Sequence, residues 1–182
     1  MNFVKQIAMA ATLVGATLSA SAAPTNLVAN GDFENWYSAW DFQGSSFLDT
    51  ASNWGYSGTS VIAMGGGSNI DVITQTISTV ANRSYTFSFD YGSSGDDSPH
   101  SMAAVFDGQT VFSIPGNAPY SDLANKSFTV TASSASTVVE FHLQDASAVD
   151  NVSVTSAVPE PTTLALMAMG LAGLALRRAR KV

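Results

Sequence analysis

Residues 85–91 read Tyr85-Thr86-Phe87-Ser88-Phe89-Asp90-Tyr91, aromatic side chains alternating with small or polar ones. Successive side chains of a strand point to opposite faces, so this period of two puts Tyr85, Phe87, Phe89 and Tyr91 on one face. A face of aromatic rings has to be buried, and a sheet buries one face only by packing on another layer. Working outward, Val138-Val139-Glu140-Phe141-His142-Leu143 alternates as well, and strand-like runs cover 72–80, 103–106, 127–131 and 149–154. Turn chemistry separates them: Asn30-Gly31, Gly65-Gly66-Gly67, Gly92 to Gly95 with Asp96-Asp97, Asp107-Gly108 and Pro115-Gly116. Asp107-Gly108, between Val105-Phe106 and Val111-Phe112, predicts a tight hairpin. The small polar stretch 131–137 reads as a loop. No window of about 11–18 residues in this part of the chain sustains a helical period. Roughly eight short strands without helices predict an all-β fold, a single antiparallel β-sandwich.

The charges are unevenly placed. The chain has 182 residues, 14 acidic and 7 basic side chains, two histidines and no cysteine. Lys5, Arg177, Arg178, Arg180 and Lys181 sit at the two ends, so residues 23–157 hold 13 acids against 2 bases, a net charge of −11. A body so poor in Lys and Arg cannot neutralise phosphates, which excludes nucleic acid as a partner. Its 135 residues suit one domain. Without cysteine there are no disulfides, thiolate metal sites or cysteine nucleophiles.

Both ends read as addresses. Lys5, the apolar stretch Ile7 to Leu18 and Ala20-Ser21-Ala22 have the order of a secretory signal peptide, residues 1–22, to be removed by signal peptidase. Near the other end, Leu164 to Leu176 is apolar and is followed by Arg177, Arg178, Arg180 and Lys181. A helix of this length spans about 20 Å, short of the roughly 30 Å hydrocarbon core, and the basic cluster holds its flank on the cytoplasmic side. Pro159-Glu160-Pro161, the short apolar helix and the basic tail closely resemble the PEP-CTERM sorting signal of exported bacterial proteins, over residues 158–182. The resemblance implies transient anchoring in the cytoplasmic membrane, processing by an exosortase, and a final place at the cell surface or in the extracellular matrix. An ordinary short tail anchor is the alternative.

A second resemblance concerns the body, 23–157. Asn26-Leu27-Val28-Ala29-Asn30-Gly31-Asp32-Phe33-Glu34 is similar to the opening of jelly-roll modules of the galactose-binding-like superfamily, which include carbohydrate-binding modules. Gln75-Thr76-Ile77-Ser78 with Tyr85-Thr86-Phe87-Ser88-Phe89 resembles the same family's strand pair, and 149–154 its closing strand. The resemblance implies a jelly-roll sandwich, flanked here by the signal helix and the short transmembrane helix. It also implies a structural Ca²⁺ near the junction of first and last strands, with Glu34 and Asp150 as side-chain ligands and Asp32 as a further candidate. Carboxylates and carbonyls are the oxygen donors Ca²⁺ takes; the alternative is that Glu34 caps loop amides and Asp150 is a turn acid.

Trp36, Tyr37, Trp54 and Tyr56 lie among Asn, Ser and Gly, where an exposed ring could stack on a sugar; Trp40 reads as core. His100 reads as part of a solvated loop, His142 as an ordinary strand residue opposite Phe141, and no local pattern selects a catalytic triad or a carboxylate pair. The expectation is therefore a non-catalytic module binding extracellular polysaccharide. Alternatives are a structural or adhesive matrix protein without a sugar site and, more remotely, a glycoside hydrolase.

Overall fold

The structure, a computed structural model, describes residues 24–57, 61–93, 100–114, 116 and 119–156. The expected signal peptide, the Pro159-Glu160-Pro161 motif, the apolar run expected to be a short transmembrane helix and the basic tail lie outside the described residues. Within them the strands are β1 (Asp41–Gln43), β2 (Phe47–Thr50), β3 (Val61–Met64), β4 (Ile70–Ser78), β5 (Ser84–Ser93), β6 (Ser101–Phe106), β7 (Gln109–Ile114), β8 (Ser121–Thr131), β9 (Ser136–Gln144) and β10 (Ser147–Ser156). One short 3₁₀ helix, η1 (Ala51–Trp54), follows β2.

Two five-stranded antiparallel sheets result, ordered β1-β4-β9-β6-β7 and β2-β3-β10-β5-β8. Only β2–β3 and β6–β7 are hairpins between neighbours; every other connection crosses from one sheet to the other, the winding of a jelly roll. The 85–91 alternation forms the middle of β5, and Tyr85, Phe87, Phe89 and Tyr91 are all buried, as their period requires. Across the sandwich, Phe141 of β9 meets Phe89 edge-on, with ring centroids 5.1 Å apart at 80°, and lies 5.9 Å from Phe87. Val138, three residues earlier on the opposite face of β9, is exposed.

The Asp107-Gly108 hairpin forms as its sequence predicts. Asp107 (φ 53°) and Gly108 (φ 73°) both take the left-handed conformation of a two-residue type I′ turn, and Phe106 pairs with Gln109. The loop between β8 and β9 falls within 131–137. β1, β2 and β3 are strands that the sequence reading leaves as loop. They have three or four residues each, too few for alternation to register, and two flank the Gly44-Ser45-Ser46 turn. Asp71 fastens this region: buried on β4, its carboxylate accepts from Ser45 N at 2.8 Å and Gly66 N at 3.0 Å.

Candidate functional site

The segment before β1 makes a strained loop across one end of the sandwich. Asn30, Phe33, Trp36 and Ala39 all have positive φ, a conformation that crowds the Cβ of an L-residue. The Asn30 side chain holds them there. Its Nδ2 donates to Trp36 O at 2.8 Å and Ser38 O at 2.9 Å, its Oδ1 accepts from Asn35 N at 2.9 Å, and its own carbonyl accepts from Trp40 Nε1 at 2.9 Å. Phe33 and Trp40 are buried, with rings 5.3 Å apart.

The Asn30-Gly31 pair works differently from the expected turn. The left-handed residue is Asn30 (φ 50°), whereas Gly31 is needed because a Cβ there would lie 2.0 Å from Val152 O. That contact docks the N-terminal segment on β10: Leu27 N donates to Val154 O and Val152 N to Gly31 O, each at 2.8 Å. Asn26 adds its side chain, accepting from Val154 N at 2.9 Å and Val28 N at 3.1 Å while donating to Val152 O at 3.2 Å. From the opposite sheet, buried Gln75 accepts from Ala29 N at 2.8 Å and donates to Ala29 O at 2.9 Å, as a pairing strand would. The opening motif and Gln75 thus serve one purpose, tying the chain's start to both sheets. A cleft of about 300 Å³ lies over this junction, lined by polar groups that include Asn26, Asn30, Asp32, Asn151 and Ser153.

The four aromatic candidates separate. Trp36 and Tyr37 are 52% and 50% exposed, side by side on the strained loop. Tyr37 packs edge-on against Phe42 at 4.9 Å, and its hydroxyl accepts from Leu48 N at 3.2 Å, covering an otherwise open edge of β2. Trp54 is half-buried against Phe47, and its Nε1 donates to Asp49 Oδ2 at 2.7 Å. That bond first, then one from Thr50 N, holds the Asp49 carboxyl below the usual range.

Tyr56 is corrected from loop to core. It is only 4% exposed, in a smaller apolar cluster with Ala51, Ile62, Met64, Ala146 and Ala148, and burial pushes its phenol pKa up. Gly92 leaves room for it, since a Cβ there would lie 2.6 Å from the Tyr56 ring. His100 is corrected likewise: it is fully buried rather than solvated.

Of the three carboxylates proposed for Ca²⁺, Asp32 and Glu34 are exposed on the loop and Asp150 is fully buried. Asp150 pairs with Asp90 across β10 and β5, just before a bulge at Asn151 (φ 49°). The Asn151 amide donates to Asp90 Oδ2 at 2.8 Å and Asp150 Oδ2 at 3.3 Å, while Asn125 donates to Asp90 Oδ1 at 2.9 Å. Among the described residues no three His, Cys, Asp or Glu side chains gather to hold a metal ion. The donors are nevertheless all oxygen, so the chemistry suits Ca²⁺ only if backbone carbonyls complete the set.

Sequence reasoning singles out neither Tyr120 nor Asp122, and reads Asn26 only as part of the opening motif. Tyr120 stands alone after Pro119 with no periodic neighbour, and the bonds of Asn26 to Val152 and Val154 reach more than 120 residues along the chain.

Residues 157–181 match the family model described as the PEP-CTERM protein-sorting motif. No curated protein matches the chain. Similar solved structures include a family 35 carbohydrate-binding module from Clostridium thermocellum, 15% identical with a TM-score of 0.46 over 65% of this chain and 92% of that one. TmCBM61 in complex with β-1,4-galactotriose is 10% identical, with a TM-score of 0.53 over 73% of this chain and 99% of its own. The Stig cyclase Fisc from Fischerella sp. TAU is 15% identical, with a TM-score of 0.53 over 76% of this chain and 100% of its own. At such identities what is shared is the fold, which hosts both a sugar-binding module and a cyclase. The chain is an exported β-sandwich protein that carries a PEP-CTERM sorting motif in residues 157–181.

Proposed function

We propose that this protein is a surface or extracellular-matrix module that binds polysaccharide without altering it. The observation that carries the reading is Trp36, an indole half exposed to solvent although its backbone is held in a left-handed conformation that costs about 1–2 kcal/mol. The loop sends Phe33 and Trp40 into the core, whereas Trp36 is not part of it. The strained backbone presents Trp36 and Tyr37 together on a loop made rigid by Asn30, and pre-organised aromatic rings bind with little loss of entropy. The sugar ligand of TmCBM61 on the same fold supports the reading.

Affinity electrophoresis through xylan, galactan, mannan, glucan and the producer's own matrix polysaccharide tests it. Retention is expected on at least one, weakened about tenfold by Trp36→Ala and less by Tyr37→Ala. A folded protein unretained by all of them overturns the reading. Retention untouched by either substitution favours a structural or adhesive role.

For its delivery we propose that residues 1–22 are removed by signal peptidase, that the body at 23–157 crosses the membrane, and that 158–182 anchor it until an exosortase acts near Pro159-Glu160-Pro161, a route that the sorting motif supports. We extend the proposal to a structural Ca²⁺ held by Asp150 and Glu34 with loop carbonyls, where it would offset a carboxylate buried beside Asp90. Chelation is then expected to lower the melting temperature by several degrees, and Asp150→Asn to abolish that sensitivity. Identical melting curves with and without chelator remove the ion from the account.

A further inference from the structure

Away from the strained loop, the start of β8 folds over the turn that follows η1. Tyr120 is 52% exposed and stacks on buried Tyr56, with rings 6.5 Å apart at 12°, while its hydroxyl donates to Gly55 O at 3.2 Å. Two residues on, Asp122 Oδ2 accepts from Ser57 Oγ at 2.7 Å, and Oδ1 from Leu123 N at 2.8 Å and Ser57 N at 3.3 Å. One ring and one carboxylate are thus fastened to the same three residues, 55–57, on either side of the Tyr56 backbone. The bond from Ser57 Oγ, then that from Leu123 N, holds the Asp122 carboxyl below its usual range and so ionised through mildly acidic pH.

Charge narrows what fits there. Residues 23–157 hold only two bases, Arg83 and Lys126. Arg83 precedes β5, whose far end, Ser93, pairs with Ser121 beside Tyr120. A strand of that length puts about 30 Å between them, several screening lengths at physiological salt. Lys126 is drawn over the Phe112 ring, 5.8 Å from its centroid. At the end of η1, Trp54 Nε1 donates to a further carboxylate, Asp49, at 2.7 Å. An anionic polymer is repelled by such a surface, whereas an exposed phenol face beside a fixed carboxylate is the chemistry that takes an ammonium group.

We propose that Tyr120 and Asp122 form a second contact site, for a polysaccharide with free amino groups, the hexosamine ring stacking on Tyr120 and its ammonium pairing with Asp122. The inference rests on the polysaccharide-binding reading and names a ligand class for it. Calorimetric titration of the full chain with hexamers of glucosamine, of N-acetylglucosamine and of glucose, and with a lysine hexapeptide, at low and physiological salt, tests it. The glucosamine hexamer is expected to bind about tenfold more tightly than the other two sugars. Tyr120→Ala weakens that binding about tenfold and Tyr120→Phe leaves it intact. Asp122→Asn weakens it about three- to fivefold. Asp41→Asn, which removes the same charge from an exposed site on β1, leaves it unchanged.

Equal losses from Asp122→Asn and Asp41→Asn would mean attraction by net charge alone and overturn the site. Equal affinity for the lysine hexapeptide would reassign it to basic peptides and overturn it too. Trp36-dependent binding of sugars with no preference for the amine overturns this inference and leaves the polysaccharide reading standing, whereas a folded protein that binds no glycan overturns both.

Discussion

Phe141→Ala is expected to remove about 3–5 kcal/mol of folding stability, a large share of the roughly 5–15 kcal/mol that holds a domain of this size together. Phe141 is fully buried on β9 and, with Phe106 and Phe112, is one of the rings that join the two sheets: it contacts Phe87 and Phe89 of β5 and lies 6.2 Å from Trp40. Truncation would forfeit those contacts and leave a cavity that neither sheet can close, because each is held in register by its own hydrogen bonds. The melting temperature should fall by about 10–15 °C. Val138→Ala, on the solvent face of the same strand, should cost less than about 1 kcal/mol. Denaturant unfolding of the two variants checks the contrast, and similar losses would mean that the contacts of Phe141 across the sandwich contribute little.

Gly31→Ala is expected to cost about 3 kcal/mol by a different route. A Cβ at this position would meet the carbonyl of Val152 at 2.0 Å, so segment 26–31 would have to lift from β10. Lifting it loosens the bonds from Leu27 N and Val152 N, and with them the Asn26 and Gln75 contacts. Gly108→Ala is the comparison. Gly108 has φ +73° but nothing within 4 Å of its missing Cβ, so it carries only the conformational cost of about 1 kcal/mol. Amide exchange should accelerate at Val152 and Leu27 in the first variant and not in the second. If Gly31→Ala proves no worse than Gly108→Ala, close approach to β10 is not what requires the glycine.

The legible part of this fold was the part with a local period. β5 and β9 declare their buried faces through alternation, and Asp107-Gly108 declares its turn, because these patterns follow from backbone geometry within a few residues. β1 to β3 were not legible. Their pairing partners, Val72 to Thr74 for β1 and Ala148 and Val149 for β3, lie far along the chain and supply the order that such short segments lack. The opening motif was visible as a pattern, but its reason was not. Gly31 serves an approach to Val152, and Gln75 serves the peptide of Ala29.

Among the candidate site residues, the sequence places aromatic side chains in loops, and composition says nothing about which surface each ring will meet. Trp36 and Tyr37 end half exposed because Asn30 turns their loop outward. Tyr56 ends buried because Gly92 and Leu123, from β5 and β8, leave a recess that fits its ring. Once Tyr56 fills that recess, Tyr120 stacks on it and stays exposed. The C-terminal sorting motif, the acidic balance and the aromatic face of β5 are properties of neighbouring residues or of their sum, and the sequence decided them. Exposure and pairing depend on surfaces contributed by strands remote in the chain, so the division of the aromatics into core and surface came only with the packed sandwich.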